Sequence, residues 1–208
     1  MEEMANLGQK YCVSNIRDNL CKAGEDTSKE QALQMAISRF SCPRNPDIER
    51  FLKNSAVEFT KKSQSVTYLV FSREDWELLG YFTLTVKPLT VEASKVSKTV
   101  VRKLERVSRL DETSQTYTTA AYLIAQLGKN YTGGADKRIS GADLLGLAWD
   151  VIQRSQYALG GVIAFVEAEE HEQLLSFYQE NGFRQFDRRR SSDTPGEAHG
   201  LVQMLRML

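Results

Sequence analysis

The alternation of apolar and polar positions divides the chain into distinct elements. After Asn45, the residues Ile48, Phe51, Leu52, Ala56 and Phe59 fall on one stripe at helical spacing and predict an amphipathic helix of about four turns. Asn45 suits its cap, Pro46 its first turn and Asp47 its positive end. SVTYLVF and GYFTLTV are rich in β-formers, and the polar SREDWELL between them predicts a hairpin. TTAAYLIAQLG reads as a further strand. It leads through the Gly-rich, charged YTGGADKRISGAD into the helix LLGLAWDVIQRS, whose Leu144, Leu147, Ala148, Val151 and Ile152 form a buried face. VIAFVE predicts another strand and LLSFYQ a helix ending at Asn181 and Gly182, the latter suited to a left-handed cap. FRQFDRR and GLVQMLRML predict two closing strands.

The flanking stretches are more polar. Residues 1 to about 44 predict two short helices joined at AGEDTSKE, where Thr27 and Glu30 have the spacing of a capping box. They form an N-terminal helical extension packed on a core of residues 45–208. The stretch from Lys87 to Thr116 carries Pro88 and the basic VSKTVVRKLERVSR, which predicts an insertion at about 88–116. The element order is helix, hairpin, insertion, strand, helix, strand, helix, two strands. It predicts a mixed α/β (α+β) sheet and not a doubly wound nucleotide fold.

Composition narrows the function classes. A chain of 208 residues, 41% of them hydrophobic, can bury one sizeable core, so one domain with embellishments is expected. Lys plus Arg equals Asp plus Glu at 27 each, so no global field draws the protein onto nucleic acid or membrane, although a local patch such as VRKLERVSR can still steer a polyanion. No apolar run is long enough for a membrane span, and MEEMANLGQK has no signal-peptide core, so a soluble, cytoplasmic protein is expected. Cys12, Cys21 and Cys42 have neither CxxC spacing nor a nearby His, which argues against both a disulfide framework and a metal site. Trp76 reads as a turn residue and Trp149 as part of a helix face.

The C-terminal third resembles the GNAT (Gcn5-related N-acetyltransferase) family at two places. One is the strand, loop and helix from Tyr122 to Ser155; the other is VEAEEHEQLLSFYQENGF, similar to the family's strand, helix and FYxxxGF ending. With FSCPRNPDIERFL and GYFTLTV the resemblance spans roughly residues 40–208, and the combination of FxC...FL, GYFTL and FYQENGF looks most like the toxin-type branch. It implies a mostly antiparallel sheet flanked by helices and acetyl transfer from acetyl-CoA to a primary amine by direct attack on the thioester. The acceptor would be a small molecule, peptide or protein amine. Two alternatives stand beside it: a toxin-like enzyme acting on aminoacyl-tRNA, and a non-catalytic acyl-CoA-binding protein. A homodimer is one assembly the resemblance allows.

The resemblance also implies residue roles. The family's pyrophosphate loop, Q/R-x-x-G-x-G/A, is most similar to Arg138, Ile139, Ser140, Gly141 and Ala142, with Asp143 beginning the helix. Its backbone amides and helix N-terminus suit a pyrophosphate, and Lys137 and Arg138 could bind phosphate oxygens. Ile139 or Ser140 stands where the family has glycine, and the carboxylate of Asp143 must turn away from a bound phosphate. Backbone groups of Leu127, Gly128 and Lys129 would hold the pantetheine arm and polarise the thioester carbonyl. Tyr178 of FYQENGF would protonate the leaving thiolate. No general base stands out from Glu167, Glu169, Glu170 and His171, which read as a solvated helix entrance, and His199 reads as part of a turn.

Overall fold

A computed structural model describes residues 7–20, 27–190 and 200–208. Its strands are β1 (Tyr11–Asn15), β2 (Val66–Ser72), β3 (Leu78–Glu92), β4 (Leu110–Asp111), β5 (Thr116–Lys129), β6 (Ile163–Glu169), β7 (Arg184–Arg190) and β8 (Gly200–Met207). Its helices are α1 (Ser28–Ser38), α2 (Pro46–Asn54), α3 (Ala56–Lys61), α4 (Lys98–Leu104), α5 (Gly141–Leu159) and α6 (Glu172–Glu180). The strands form one mixed sheet of eight, in the order β1-β2-β3-β5-β6-β8-β7 with β4 paired to β5. The chain divides into two compact units, Met1–Thr85 with Ile124–Val151, and Val86–Leu123 with Ile152–Leu208.

In the first unit, β1 pairs antiparallel with β2 from Tyr11↔Ser72 to Asn15↔Tyr68, and β2 pairs with β3 from Val66↔Leu84 to Phe71↔Leu78. Ile16, Leu33, Ile37, Phe40, Leu52, Leu69 and Tyr81 form its buried core. The Asn45 side chain caps α2 as expected, accepting from Asp47 N at 3.1 Å and Ile48 N at 3.3 Å, with Pro46 in the first turn. The single helix predicted beyond Asn45 is broken into α2 and α3 at Ser55, whose φ of −124° leaves the helical region. Phe51 and Phe59 stay in edge-on contact across the break.

The N-terminal expectation of two helices needs correction. Tyr11–Asn15 is a strand, because Tyr, Cys and Val suit a pleated surface and β2 offers them a partner edge. Among the described residues of that segment, 7–10 are helical, Ile16–Asn19 is a short 3-10 helix and α1 is the second expected helix; Thr27 makes no side-chain cap, so the capping box is not formed. Cys21, His199 and the first half of the AGEDTSKE join lie outside the described residues. Cys12 and Cys42 are free thiols, Cys42 buried.

In the second unit, β5 and β6 run parallel, registered at Tyr122↔Ala164 and Leu123↔Phe165, and β8 pairs antiparallel with β6 and β7. Leu89, Val91, Leu104, Tyr117, Phe165, Phe186 and Leu205 form its core. That core changes the reading of residues 88–116 as an insertion outside it. β3 continues through Pro88 to Glu92, and Leu89, Val91 and Leu104 of α4 are buried, because the apolar alternation does not stop at the proline. Gly182 closes α6 at φ +85°, with Phe183 N bonded to Tyr178 O at 3.0 Å.

One contact fixes the end of β5. A Cβ on Gly128 would lie 2.3 Å from Ile48 Cγ2, so α2 can pack here only against a residue without a side chain. Gly128→Ala is therefore expected to destabilise the protein by about 1–3 kcal/mol through overpacking. In denaturant unfolding of Gly128→Ala, Ile48→Ala and the double variant, the two losses should be less than additive; strict additivity would remove the contact from the account.

Candidate functional site

The residues proposed for the cofactor gather in the first unit around the segment from β5 to α5. Asn130, just past β5, is buried and fully engaged. Its backbone N donates to Leu79 O at 2.8 Å and its Nδ2 to Leu78 O at 2.8 Å; its Oδ1 accepts from Ser41 N at 3.0 Å and Thr132 N at 3.1 Å. Tyr131 N adds a bond to Ser41 O, and Thr132 Oγ1 one to Arg39 O. The loop thus leaves the strand in one fixed direction. In the sequence Asn130 marks no more than the loop's start; a lone Asn beyond an apolar strand carries no sign of four bonds, most of them to distant segments.

Gly133 and Gly134 then turn the chain at φ +61° and +82°. The Lys129 ammonium reaches under the loop and donates to the carbonyls of Asp136 at 2.7 Å and Ile139 at 3.2 Å. Ile139 is itself buried, a plug that anchors the loop, so only its backbone is available to a ligand. Lys137 is exposed.

Arg138 lies elsewhere than the sequence implies. Its guanidinium forks onto the Asp75 carboxylate, at 2.8 Å from Nη1 and 3.0 Å from Nη2, pairs with Glu77, and donates to Ser72 Oγ at 3.0 Å. All three partners belong to the β2–β3 hairpin, in which Trp76 sits exposed at φ +59°. The Arg138 guanidinium, and then the Ser72 hydroxyl, hold the Asp75 carboxyl well below the usual carboxylate range, and Asp75 in turn raises Arg138. The arginine that resembles a phosphate ligand is a strut between loop and hairpin.

The entrance to α5 is a reciprocal cap. Ser140 Oγ accepts from Asp143 N at 2.9 Å and Asp143 Oδ2 from Ser140 N at 3.4 Å. Tyr11 OH holds the same region, at 3.2 Å from Arg138 O and 3.3 Å from Asp143 Oδ2. Burial, and then the Asp143 charge, push the Tyr11 phenol up. The Asp143 carboxylate is thus folded back onto the cap. The amides of Gly141 and Ala142, in the first helical turn, have no intrahelical acceptor. The loop, with Lys129, is brought together; Leu127 and Gly128 stand just before it on the stretch of β5 that runs past the pairing with β6, from Ile124 to Lys129.

Tyr178 lies in the second unit on α6, only 8% exposed, with its ring against Phe177 and Phe183 at centroid distances of 5.1 and 5.6 Å. Burial pushes its phenol up to about 12, and its hydroxyl has no hydrogen-bond partner among the described residues. Of the acidic group nearby, Glu167 pairs with Arg189 and accepts from Gln203, and Glu170 pairs with Arg188. His171 occupies the N-cap of α6 without a capping bond from its side chain. Among the described residues no three His, Cys, Asp or Glu side chains assemble as metal ligands, and no helix is long and apolar enough to cross a membrane.

No protein-family model and no curated protein matches the chain. Solved structures do. A bacterial toxin is 22% identical over 95% of this chain and 90% of its own, with a TM-score of 0.62. AtaT complexed with acetyl-methionyl-tRNAfMet is 17% identical over 92% of this chain and 93% of its own, with a TM-score of 0.59. A tyrosine-to-phenylalanine mutant of the AtaT toxin, bound to the C-terminus of the antitoxin AtaR and acetyl-CoA, is 17% identical over 95% and 93%, with a TM-score of 0.57. Likeness at this identity speaks to architecture, and with the mixed sheet, the strand–loop–helix segment and the FYQENGF ending already described, it gives this chain the GNAT fold in the form shared with these toxin structures.

Proposed function

We propose that this protein is an acetyl-CoA-dependent N-acetyltransferase of the toxin type, whose acceptor is the amino group of an aminoacyl-tRNA. The observation that carries the reading is end-to-end likeness to AtaT, a protein captured with an acetylated aminoacyl-tRNA, over more than nine-tenths of both chains. It moves the acceptor away from the free small molecule, peptide or protein amine that the sequence resemblance favours, and toward the alternative.

The chemistry is divided among a few residues. The cosubstrate's pyrophosphate meets the amides of Gly141 and Ala142 and the ammonium of Lys137, while Arg138 holds the loop from behind. Main-chain groups of Leu127, Gly128 and Lys129 take the pantetheine arm along β5 and polarise the thioester carbonyl. The neutral α-amine attacks that carbonyl; a C–N bond forms, the C–S bond breaks, and the thiolate takes a proton from Tyr178. The former amine gives its proton to water. A phenol held at about 12 stays protonated across the working range, which suits a donor and disqualifies a base.

Purified protein incubated with labelled acetyl-CoA and charged tRNA should transfer label to the aminoacyl group. Label appearing only on free amines, with none on charged tRNA, would overturn the acceptor. Calorimetry should give micromolar CoA binding, on the order of 8 kcal/mol. Gly141→Val and Lys137→Ala should each weaken it with the melting temperature preserved, whereas unchanged affinity in both would place the pyrophosphate elsewhere.

Tyr178→Phe keeps the ring and its packing but removes the proton, so turnover should fall about 10²-fold to 10⁴-fold with CoA affinity retained. In the parent, the rate should rise as the acceptor amine deprotonates near pH ~8 and show no alkaline decline below about pH 10, since the donor titrates higher. Unchanged turnover in the variant, or a parental decline below that pH, removes Tyr178 from the donor role.

A further inference from the structure

The helix α4, Lys98–Leu104, carries a charge pattern that neither the core nor the proposed chemistry uses. Val100, Val101 and Leu104 turn inward onto the second unit's core, which leaves Lys98 and Arg102 outward one turn apart, followed by Arg106 in the turn closing the helix. All three are exposed and have no ion pair or hydrogen bond to another side chain among the described residues. Residues 98–109 hold five basic side chains and one acid, Glu105, in a chain whose basic and acidic residues are equal at 27. Glu105 lies near the Tyr117 hydroxyl, 3.4 Å away, and Lys103 caps the Leu208 carbonyl, so neither interrupts the stripe.

Like charges four residues apart weaken a short helix by a few tenths of a kcal/mol per pair. Such a face is relieved when counter-charge arrives. The spacing, about 6 Å per four residues along the axis, is on the scale of successive phosphates along one nucleic-acid strand. Beside the start of α4 a cavity of about 400 Å³, lined by Ser97, Val100, Arg184 and Arg206, continues the basic surface. A neutral chain that concentrates unpaired cations on one helix face has a local phosphate-binding surface without a global field.

We infer that the outward face of α4, Lys98, Arg102 and Arg106, binds the phosphodiester backbone of RNA and holds the tRNA whose acceptor end is acetylated. The inference rests on the proposed acceptor but is read by a separate measurement. Fluorescence anisotropy with labelled, unacylated tRNA, which has no amine to acetylate, follows binding alone. Substituting Lys98→Ala, Arg102→Ala and Arg106→Ala together should weaken binding about tenfold or more and flatten the plot of log affinity against log salt by about two to three units, near one per phosphate contact.

The melting temperature of this variant should stay level or rise, because it removes repulsion and no packing. A control of equal charge change, Lys10→Ala with Lys29→Ala and Lys62→Ala, should keep the parental slope. An unchanged slope in the α4 variant, or an equal fall in the control, overturns the surface while leaving the acetyl transfer standing. Loss of slope confined to the α4 variant supports the surface even if charged tRNA is never acetylated. Displacement of tRNA by poly-glutamate as effectively as by unlabelled tRNA would assign the stripe to an acidic protein and overturn the RNA assignment.

Discussion

The first unit depends on how closely the backbone of β3, the end of β5 and helix α2 approach one another. A Cβ on Gly80 would lie 2.7 Å from the Gly128 carbonyl oxygen, and one on Gly128 would lie 2.3 Å from Ile48 Cγ2, so two glycines are required by space and not by dihedral angle. Tyr81, next to Gly80 in sequence, is fully buried and sends its hydroxyl to Ile48 O at 2.7 Å, which ties the same helix to the same strand. The loop beyond β5 inherits this fixed position. Lys129 can reach two loop carbonyls, and Asn130 can hold four bonds at once, because the strand end leaves each where its partners already stand.

Such close packing explains which parts of the molecule are legible in the sequence. Elements whose apolar period is complete within one segment, such as α5 with Leu144, Leu147, Ala148 and Ile152 or the strand VIAFVE, can be read because the pattern and the burial have the same cause. The FYQENGF element carries its own turn signal in Gly182. Tyr11–Asn15 is different: five residues in a polar neighbourhood have too short a period to classify, and the partner strand that makes them β lies more than fifty residues away. In the same way Pro88 signals an end to β3 locally, while the inward positions Leu89 and Val91 carry the strand onward through tertiary burial.

The candidate loop is legible as a place and not as a wiring. Its glycine and its basic pair can be read from KRISGAD, but sequence assigns both cations to phosphate by type. The division between Lys137, exposed, and Arg138, forked onto Asp75, depends on a hairpin tip some sixty residues earlier. Asp143, which by sequence alone repels an anion, has its Oδ2 turned toward Ser140 N and Tyr11 OH. A preformed loop with its cap carboxylate and two of its carbonyls engaged leaves its remaining amides as polar groups with nothing to satisfy them but water or a ligand.

Charge in this protein is balanced in number but not in use. At the hairpin, Asp75 and Glu77 are held by Arg138, and at β6 and β7 Glu167 and Glu170 are held by Arg189 and Arg188, so these acids are spent on internal geometry. A chain that pairs its acids in this way leaves some bases over, and where they are left is set by the fold. On α4 the inward Val100, Val101 and Leu104 fix which side faces water, and the sequence places Lys98 and Arg102 on that side, with Arg106 following and Glu105 as the single acid of residues 98–109. An unpaired stripe in a neutral protein produces a field that decays within about 10 Å at 0.1 M salt, too short to gather anions from a distance but long enough to orient one already at the surface. That is the physical profile of a contact that positions a phosphate backbone already at the surface.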